Sequence, residues 1–263
     1  MRDMQGNAAI VTGSSSGVGA ATAKLLASLG CNVLVNYNSN QAGGETMAEE
    51  CRSAGVDAMA FGGSVADDAA CVAMAEAARE RWGRIDILVN NAGTTKFVAH
   101  DNLDGLGSED FQQIYGVNLI GPYQMIRAVR PAMESQEEGG HVVNVASTAG
   151  IDGIGSSIAY AASKGALVTM GLSLARALGP KIRVNTVCPG FIQGEWLRKG
   201  LGDKAYEATL DRQLKNTPLH RTATAETVAE AILQFISGSP AITGQTLIVD
   251  GGLHLTRASL VQR

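Results

Sequence analysis

Short apolar runs alternate with helix-periodic stretches along the whole chain, and few folds accept that order. Residues 8–11, 31–37, 58–61, 85–89, 141–145, 182–187 and 246–249 read as seven strands. Most are short and nearly all apolar, as strands covered on both faces are. Between them, residues 17–29, 42–54, 66–82, 108–133, 157–178 and 225–236 carry helical periodicity. Gly30, Gly55, Gly83 and the pair Gly179-Pro180 stop four of these helices, and Pro122 predicts a kink inside the longest. Repeated strand–helix–strand units demand crossover connections. The expected fold is therefore one α/β domain over 1–263, a doubly wound parallel sheet of about seven strands with helices on both faces. Residues 191–221 are too long for an ordinary connection and read as a substrate lid. Residues 255–263 form a tail without an assigned role.

Composition excludes several classes. The net charge is −4 and no extended basic run occurs, so neither nucleic acid nor an anionic membrane is expected as a partner. No uninterrupted apolar stretch reaches the ~18 residues of a membrane span. Met1-Arg2-Asp3-Met4-Gln5-Gly6 has no apolar stretch of the kind a secretory leader carries. Cys31, Cys51, Cys71 and Cys188 form no CxxC pair and no cluster with histidine, which predicts free buried thiols in a reducing cytoplasm and no metal. The outlier is glycine, 32 of 263 residues, about 12% against a usual ~7%. Such an excess in an apolar chain suggests tight turns and backbone that comes close to a ligand.

The first of those glycines have an address. Thr12-Gly13-Ser14-Ser15-Ser16-Gly17-Val18-Gly19 follows the first strand and opens the first helix. Glycines there let the backbone approach a pyrophosphate, and the helix start offers free N–H groups and a favourable dipole. The spacing is Gly-x-x-x-Gly-x-Gly. A glycine trio alone is weak evidence, but its place in the first βα unit of an alternating, Rossmann-type chain points to dinucleotide binding.

Four further motifs come in order. Asn90-Asn91-Ala92-Gly93 follows the fourth strand, Ser147 the fifth, and Pro189-Gly190 the sixth, while Tyr160-Ala161-Ala162-Ser163-Lys164 lies on the intervening helix. With the glycine loop, this set strongly resembles the short-chain dehydrogenase/reductase family over nearly the whole chain, from about Gly6 to Gly252. Within that family the chain looks most like 3-oxoacyl-acyl-carrier-protein reductases and sugar or polyol dehydrogenases.

The residues suit hydride-transfer chemistry. Tyr160 and Lys164 are four apart and share a helix face. A phenol with a pKa near 10 is a poor acid or base at neutral pH, and an adjacent ammonium is expected to lower it. The pair would then give a proton to a carbonyl or take one from an alcohol. Ser147 would hydrogen-bond the substrate oxygen. A nucleophilic role for Ser147 is not supported, since no Gly-x-Ser-x-Gly elbow surrounds it. Asn118, in Gly116-Val117-Asn118, matches the family's helix-interrupting asparagine. The resemblance implies a tetrad of Asn118, Ser147, Tyr160 and Lys164, with Asn118 helping to relay protons through Lys164 and water, and with Lys164 also on the nicotinamide ribose. It also implies cofactor contacts from Gly13, Ser15, Ser16, Gly17, Val18 and Gly19, then Asn36, Tyr37, Asn38 and Ser39, Ser64 and Val65, Asn90, Ala92 and Gly93, and Pro189, Gly190 and Ile192. Asn90 is expected to hold the central sheet and the adenosine side.

No acid ends the second strand at Asn36-Tyr37-Asn38-Ser39-Asn40, where one would bond the adenosine 2′-OH and repel a 2′-phosphate. NADP(H) is therefore expected over NAD(H), with Asn38 and Ser39 at the phosphate, although no Arg or Lys stands nearby. Two positions depart from the family pattern. Ser64 stands where Asp is usual, and Gly194 where a hydroxyl residue usually meets the nicotinamide amide, leaving the Ile192 backbone or Gln193 to serve. The expected function is NADP(H)-dependent transfer of hydride to or from a carbonyl or alcohol, of the 3-oxoacyl-thioester kind. A sugar or polyol dehydrogenase is the alternative, and a non-catalytic dinucleotide sensor the reading outside enzymes. A carrier-bound substrate would want cations such as Arg127 and Arg130 near the cleft. The resemblance further implies a homotetramer built on the two long helices.

Overall fold

A computed structural model of the chain describes residues 4–256. Its strands are β1 (Ala8–Val11), β2 (Asn32–Tyr37), β3 (Ala58–Gly62), β4 (Ile87–Asn90), β5 (Gly140–Val145), β6 (Ile182–Pro189) and β7 (Thr246–Val249). They form one sheet in the order β3-β2-β1-β4-β5-β6-β7, with every neighbouring pair parallel. This is the doubly wound arrangement. The chain builds outward from β1 to β3, returns to pair β4 with β1, and builds the other way, so a crevice opens beyond the carboxyl ends of β1 and β4.

The helices are α1 (Gly17–Ser28), α2 (Gln41–Ser53), α3 (Asp68–Trp82), α4 (Ser108–Tyr115), α5 (Gly121–Ser135), α6 (Ala149–Asp152), α7 (Ile158–Leu178), α8 (Glu195–Leu201), α9 (Asp203–Asn216) and α10 (Ala225–Ser237). Alternate strand residues divide between two cores. Ala9, Val11, Val33, Val35, Ile87, Val89, Val143 and Val187 face α1, α2 and α10. Ile10, Leu34, Leu88, Val142 and Val184 face α3, α5 and α7. Both faces are thus sealed, and only the strand ends remain for chemistry. All four cysteines are free and buried.

Three local expectations change. The stretch 108–133 is not one kinked helix. It is α4, a widened turn over Gly116–Ile120 in which Gly121 N–H bonds the Gly116 carbonyl five residues back, and then α5. The break precedes Pro122, which sits in the first turn of α5. Having no N–H, Pro122 leaves the Asn118 carbonyl without its α-helical donor. Residues 191–221 are mostly helical, as α8 and α9, because Arg198 reaches from one to the other to bond Asp203 (3.0 Å) and Glu207 (2.7 Å). α7 spans 21 residues with a mean hydropathy of 1.3, the length and composition of a membrane-crossing helix. Here it packs on the sheet through Ala175 and Leu178 and buries Lys164. Of the tail, only Leu255 and Thr256 are among the described residues, and residues 1–3 lie outside them.

At the opposite end of the strands, Asp86 ties the sheet together. Its buried carboxylate accepts from Ala8 N–H (2.8 Å), from Arg84 Nε (2.8 Å) and Nη2 (2.7 Å), and from Gln136 Nε2 (3.2 Å). Asp86→Ala strands the buried Ala8 N–H and should lower the unfolding free energy by about 2–3 kcal/mol. Urea unfolding checks this, and a midpoint equal to the native one would refute it.

Candidate active site

The glycine loop is held by its neighbours. Gly13 adopts φ +62° and its Cα lies so near the β4 loop that a Cβ would come within 2.8 Å of Ala92 Cα. A Cβ on Gly19 would lie 2.5 Å from both Asn91 Nδ2 and the Gly13 carbonyl. Thr12 Oγ1 accepts from the N–H groups of Asn91 (3.0 Å) and Ala92 (3.0 Å), and Asn91 Nδ2 donates to the carbonyls of Thr12 (2.9 Å) and Gly13 (3.0 Å). Ser16 precedes α1 but its side chain caps no N–H, and Ser16 and Gly17 are exposed. Ser15 and Val18 are half-buried beside them. An exposed helix start with no side-chain cap, reached through a hydrogen-bonded glycine cradle, fits a dinucleotide pyrophosphate.

At the end of β2 the expected contacts separate into two kinds. Asn36 is buried. Its Oδ1 accepts from Gly13 N–H (3.0 Å) and its Nδ2 donates to the carbonyls of Gly63 (2.9 Å) and Phe61 (3.3 Å). It therefore clamps the glycine loop to β3 rather than reaching a ligand, because its amide is used on both sides. Tyr37 is half-buried, with its ring against Gly44 and Gly62. Asn38 and Ser39 are exposed, while Asn40 caps α2 through Gly43 N–H (3.1 Å). Ser64 Oγ accepts from Ala66 N–H (3.2 Å), and Val65 is buried below it. Asn90 bonds Asn144 Oδ1 (2.9 Å) and the Pro122 carbonyl (3.4 Å), so it joins β4, β5 and α5 inside the sheet.

The four tetrad positions converge beyond β4 and β5. Ser157 caps α7 by accepting from Tyr160 N–H (3.2 Å), which sets the start of the helix and the phase of Tyr160 and Lys164. Lys164 is buried and donates to the Val145 carbonyl (2.8 Å), with Nζ 5.7 Å from the centre of the Tyr160 ring. Gly93 lies beside it: a Cβ there would be 3.6 Å from Lys164 Nζ and 3.5 Å from Asn118 Oδ1. Ser147 follows β5, its Oγ accepting from Ala149 N–H (3.2 Å). Asn118 is fully buried in the widened turn. Its Oδ1 accepts from Thr94 N–H (2.8 Å), and its Nδ2 donates to the Thr94 carbonyl (2.9 Å) and Ser163 Oγ (3.0 Å). Nδ2 thus spends both its protons and Oδ1 takes one donor, while Pro122 withholds the α-helical donor from the Asn118 main-chain carbonyl. Thr12, Asn91, Thr94 and Ser163 hold this geometry without having been singled out. Thr12, Asn91 and Ser163 lie inside the quoted motifs, whereas nothing in the sequence marks Thr94.

The protonation states differ from the expectation. Burial pushes the Tyr160 phenol up to about 12, with the Ser147 hydroxyl opposing and Cys188 adding to the rise. Burial also pulls the Lys164 ammonium down to about 8, against a weaker opposite effect of Cys188. Lys164 was expected to lower the Tyr160 pKa. Desolvation is the largest effect on both groups, and the ammonium donates to the Val145 carbonyl with Nζ 5.7 Å from the ring centre.

Beyond β6, Pro189 is buried and Gly190 packs on Asp250, where a Cβ would lie 2.7 Å from Asp250 Cβ. Ile192 forms a bridge to Ala223, and the exposed Gln193 donates through Nε2 to Thr222 Oγ1 (2.9 Å). Gly194 N–H donates to the Tyr206 hydroxyl (3.2 Å). Of the two proposed docking cations, Arg127 pairs with Asp68 and Arg130 with Glu134 (3.1 Å).

Known proteins resemble this chain in sequence and in fold. A family model described as enoyl-(acyl carrier protein) reductase matches residues 13–254. The chain is 39% identical over 247 residues to a protein assigned as ketoacyl reductase 2 of the granaticin polyketide synthase from Streptomyces violaceoruber, covering 94% of this chain and 96% of that one. It is 34% identical over 251 residues to the 3-oxoacyl-(acyl-carrier-protein) reductase of Staphylococcus aureus, covering 94% and 98%. Among solved structures, one from Burkholderia xenovorans titled as a short-chain dehydrogenase/reductase superposes with a TM-score of 0.87 at 40% identity, covering 95% and 98%. An NAD+-bound xylitol dehydrogenase gives 0.87 at 26% identity, covering 95% and 100%.

Lys164 makes a pH test. Its folded pKa of about 8 lies below the ordinary 10.5, so between those values the unfolded chain binds more protons and stability rises with pH. Relative to Lys164→Met, the native protein should gain about 2–3 kcal/mol in unfolding free energy from pH ~8 to ~10. Urea titrations at stepped pH measure the difference, and parallel curves for the two proteins would contradict it.

Proposed function

The chain belongs to the short-chain dehydrogenase/reductase family, and on that footing we propose that it reduces a 3-oxoacyl thioester with NADPH. At the coarser level it is an oxidoreductase acting between a carbonyl and its alcohol. The meeting of Tyr160, Lys164 and Ser147 at the strand ends, beside the glycine cradle, carries the hydride-transfer reading, and the ketoacyl reductase relatives support the thioester.

When bound, the nicotinamide supplies the hydride that goes to the carbonyl carbon. Gly13, Gly17 and Gly19, with the start of α1, would hold its pyrophosphate, and Gly93, Lys164 and Ile192 line the way to the reacting end. Ser147 donates a hydrogen bond to the substrate oxygen. Tyr160, kept protonated by burial at neutral pH, gives its Oη proton to that oxygen. The phenolate so formed lies near the Lys164 ammonium, which favours its charge. The Asn118 main-chain carbonyl, which gets no α-helical donor from Pro122, would hold the water that returns a proton through Lys164.

NADPH is favoured by the missing acid after β2, where Asn38 and Ser39 are exposed and uncharged. The four buried thiols suit a reducing cytoplasm. A homotetramer is supported by an open apolar groove of Leu119, Ile120, Tyr123, Ala166 and Met170 along α5 and α7, with Ile120 and Tyr123 both exposed. Light scattering should give four times the chain mass, and a monomer at micromolar concentration would exclude the assembly. The substrate loop is proposed to be 191–221.

The deciding experiment follows oxidation of NADPH and NADH with acetoacetyl-N-acetylcysteamine and with a ketose. Turnover of the thioester with NADPH is expected. Turnover of the ketose alone, or preference for NADH, would overturn the reading. Tyr160→Phe should lower kcat by about 10³-fold while NADPH binding, read by fluorescence titration, stays within about threefold.

A further inference from the structure

Three aromatic rings stand in a row at the candidate proton donor. Trp196 of α8 lies 6.1 Å from the Tyr160 ring, centre to centre, and Phe97 of the β4 loop lies 5.6 Å from Trp196. All are tilted, at 44° and 55°, within the range of favourable aromatic packing. Trp196 is nevertheless 49% exposed, so one side of a large indole remains uncovered beside Tyr160. The wall is built rather than incidental. α8 reaches Phe97 because residue 200 is glycine: a Cβ there would lie 2.0 Å from Phe97 Cζ. Val98 N–H donates to the Ser156 carbonyl (2.9 Å), which fixes the segment bearing Phe97 to the start of α7.

The polar groups around the wall are already engaged. Thr95 Oγ1 bonds Ser156 Oγ (2.8 Å), and His100 Nε2 lies 3.2 Å from the Gly155 carbonyl. Lys96 is paired with Asp110 (2.8 Å), and Arg198 with Asp203 and Glu207. A polyol would find few partners for its hydroxyls here, whereas a planar apolar group would find an uncovered indole. We infer that Trp196, backed by Phe97, selects ketones bearing an aromatic ring next to the reacting carbonyl. The inference rests on the reductase reading of the same site, and it makes Trp196 a specificity-determining residue.

The test compares benzoylacetyl-N-acetylcysteamine with acetoacetyl-N-acetylcysteamine in the native protein, Trp196→Leu and Trp196→Phe. Leucine keeps apolar bulk without a ring, and phenylalanine keeps a ring. The native protein should favour the benzoyl substrate in kcat/KM. Trp196→Leu should cost that substrate about fivefold more than it costs the acetoacetyl substrate, chiefly in KM. Trp196→Phe should retain most of the preference. Calorimetric titration of the benzoyl thioester into protein saturated with NADP+ gives a reading without turnover, and should show the same order of affinities. Equal losses for both substrates, or full preference in Trp196→Leu, would overturn the inference and leave the reductase reading standing. Absence of turnover with the calorimetric order intact would overturn the reductase reading and leave the aromatic selection standing. Absence of both turnover and binding would overturn both.

Discussion

Thr12 and Asn91 bind the loop after β1 to the loop after β4 through four hydrogen bonds of 2.9–3.0 Å, and the site depends on that junction. β1 and β4 are the strands at which the sheet changes its direction of growth. Helices leave them on opposite faces, so the backbone separates there and leaves a crevice. The four bonds fix its width. Gly13 and Gly19 are glycines because the two loops come too close for a side chain at either position. The same closeness leaves the start of α1 exposed at the crevice.

The second half of the site hangs on a different pairing. Asn118 bonds both the N–H and the carbonyl of Thr94, as one peptide group would bond another. It can do so only because the helix widens at Gly116–Ile120 and turns the amide inward. Through Ser163 the same amide reaches α7, so the β4 loop, the widened turn and the Tyr160 helix are set relative to one another by a single side chain. Burial then decides the resting charges. Tyr160 stays a neutral phenol and Lys164 becomes easier to deprotonate, since a low-dielectric surrounding penalises each charged form.

Much of this was legible in the chain. The β1 and β7 bounds agree with the apolar runs at 8–11 and 246–249, and the other strands and most helices shift only by a residue or two at their ends. The motif order placed Ser147, Tyr160 and Lys164 at neighbouring strand ends because a parallel sheet puts every carboxyl end on one edge. Other features were hidden for physical reasons. The widened turn keeps helical periodicity on both sides and so reads as continuous helix. α8 is only seven residues long and α9 is mostly polar, and the two hold through Arg198 with its acids and its stacking on Tyr206, 4.2 Å away. Asn36 looked like a cofactor contact from its place after β2, yet its amide is consumed by Gly13 and Gly63.

By itself the sequence determined the class of fold and the reacting groups, because strand and helix periods and the i, i+4 spacing of Tyr160 and Lys164 are local properties of a chain. Tertiary structure alone decided which side chains are free to react. Hydrogen-bond capacity is finite, and how much of it Asn36, Asn118 and Gln193 have used depends on neighbours 23 to 45 residues away. It decided the charges as well, since desolvation is a property of what surrounds Tyr160 and Lys164. And it decided that Phe97, Tyr160 and Trp196, far apart in the chain, stand in one row, because loops from different strand ends meet only when the sheet is complete.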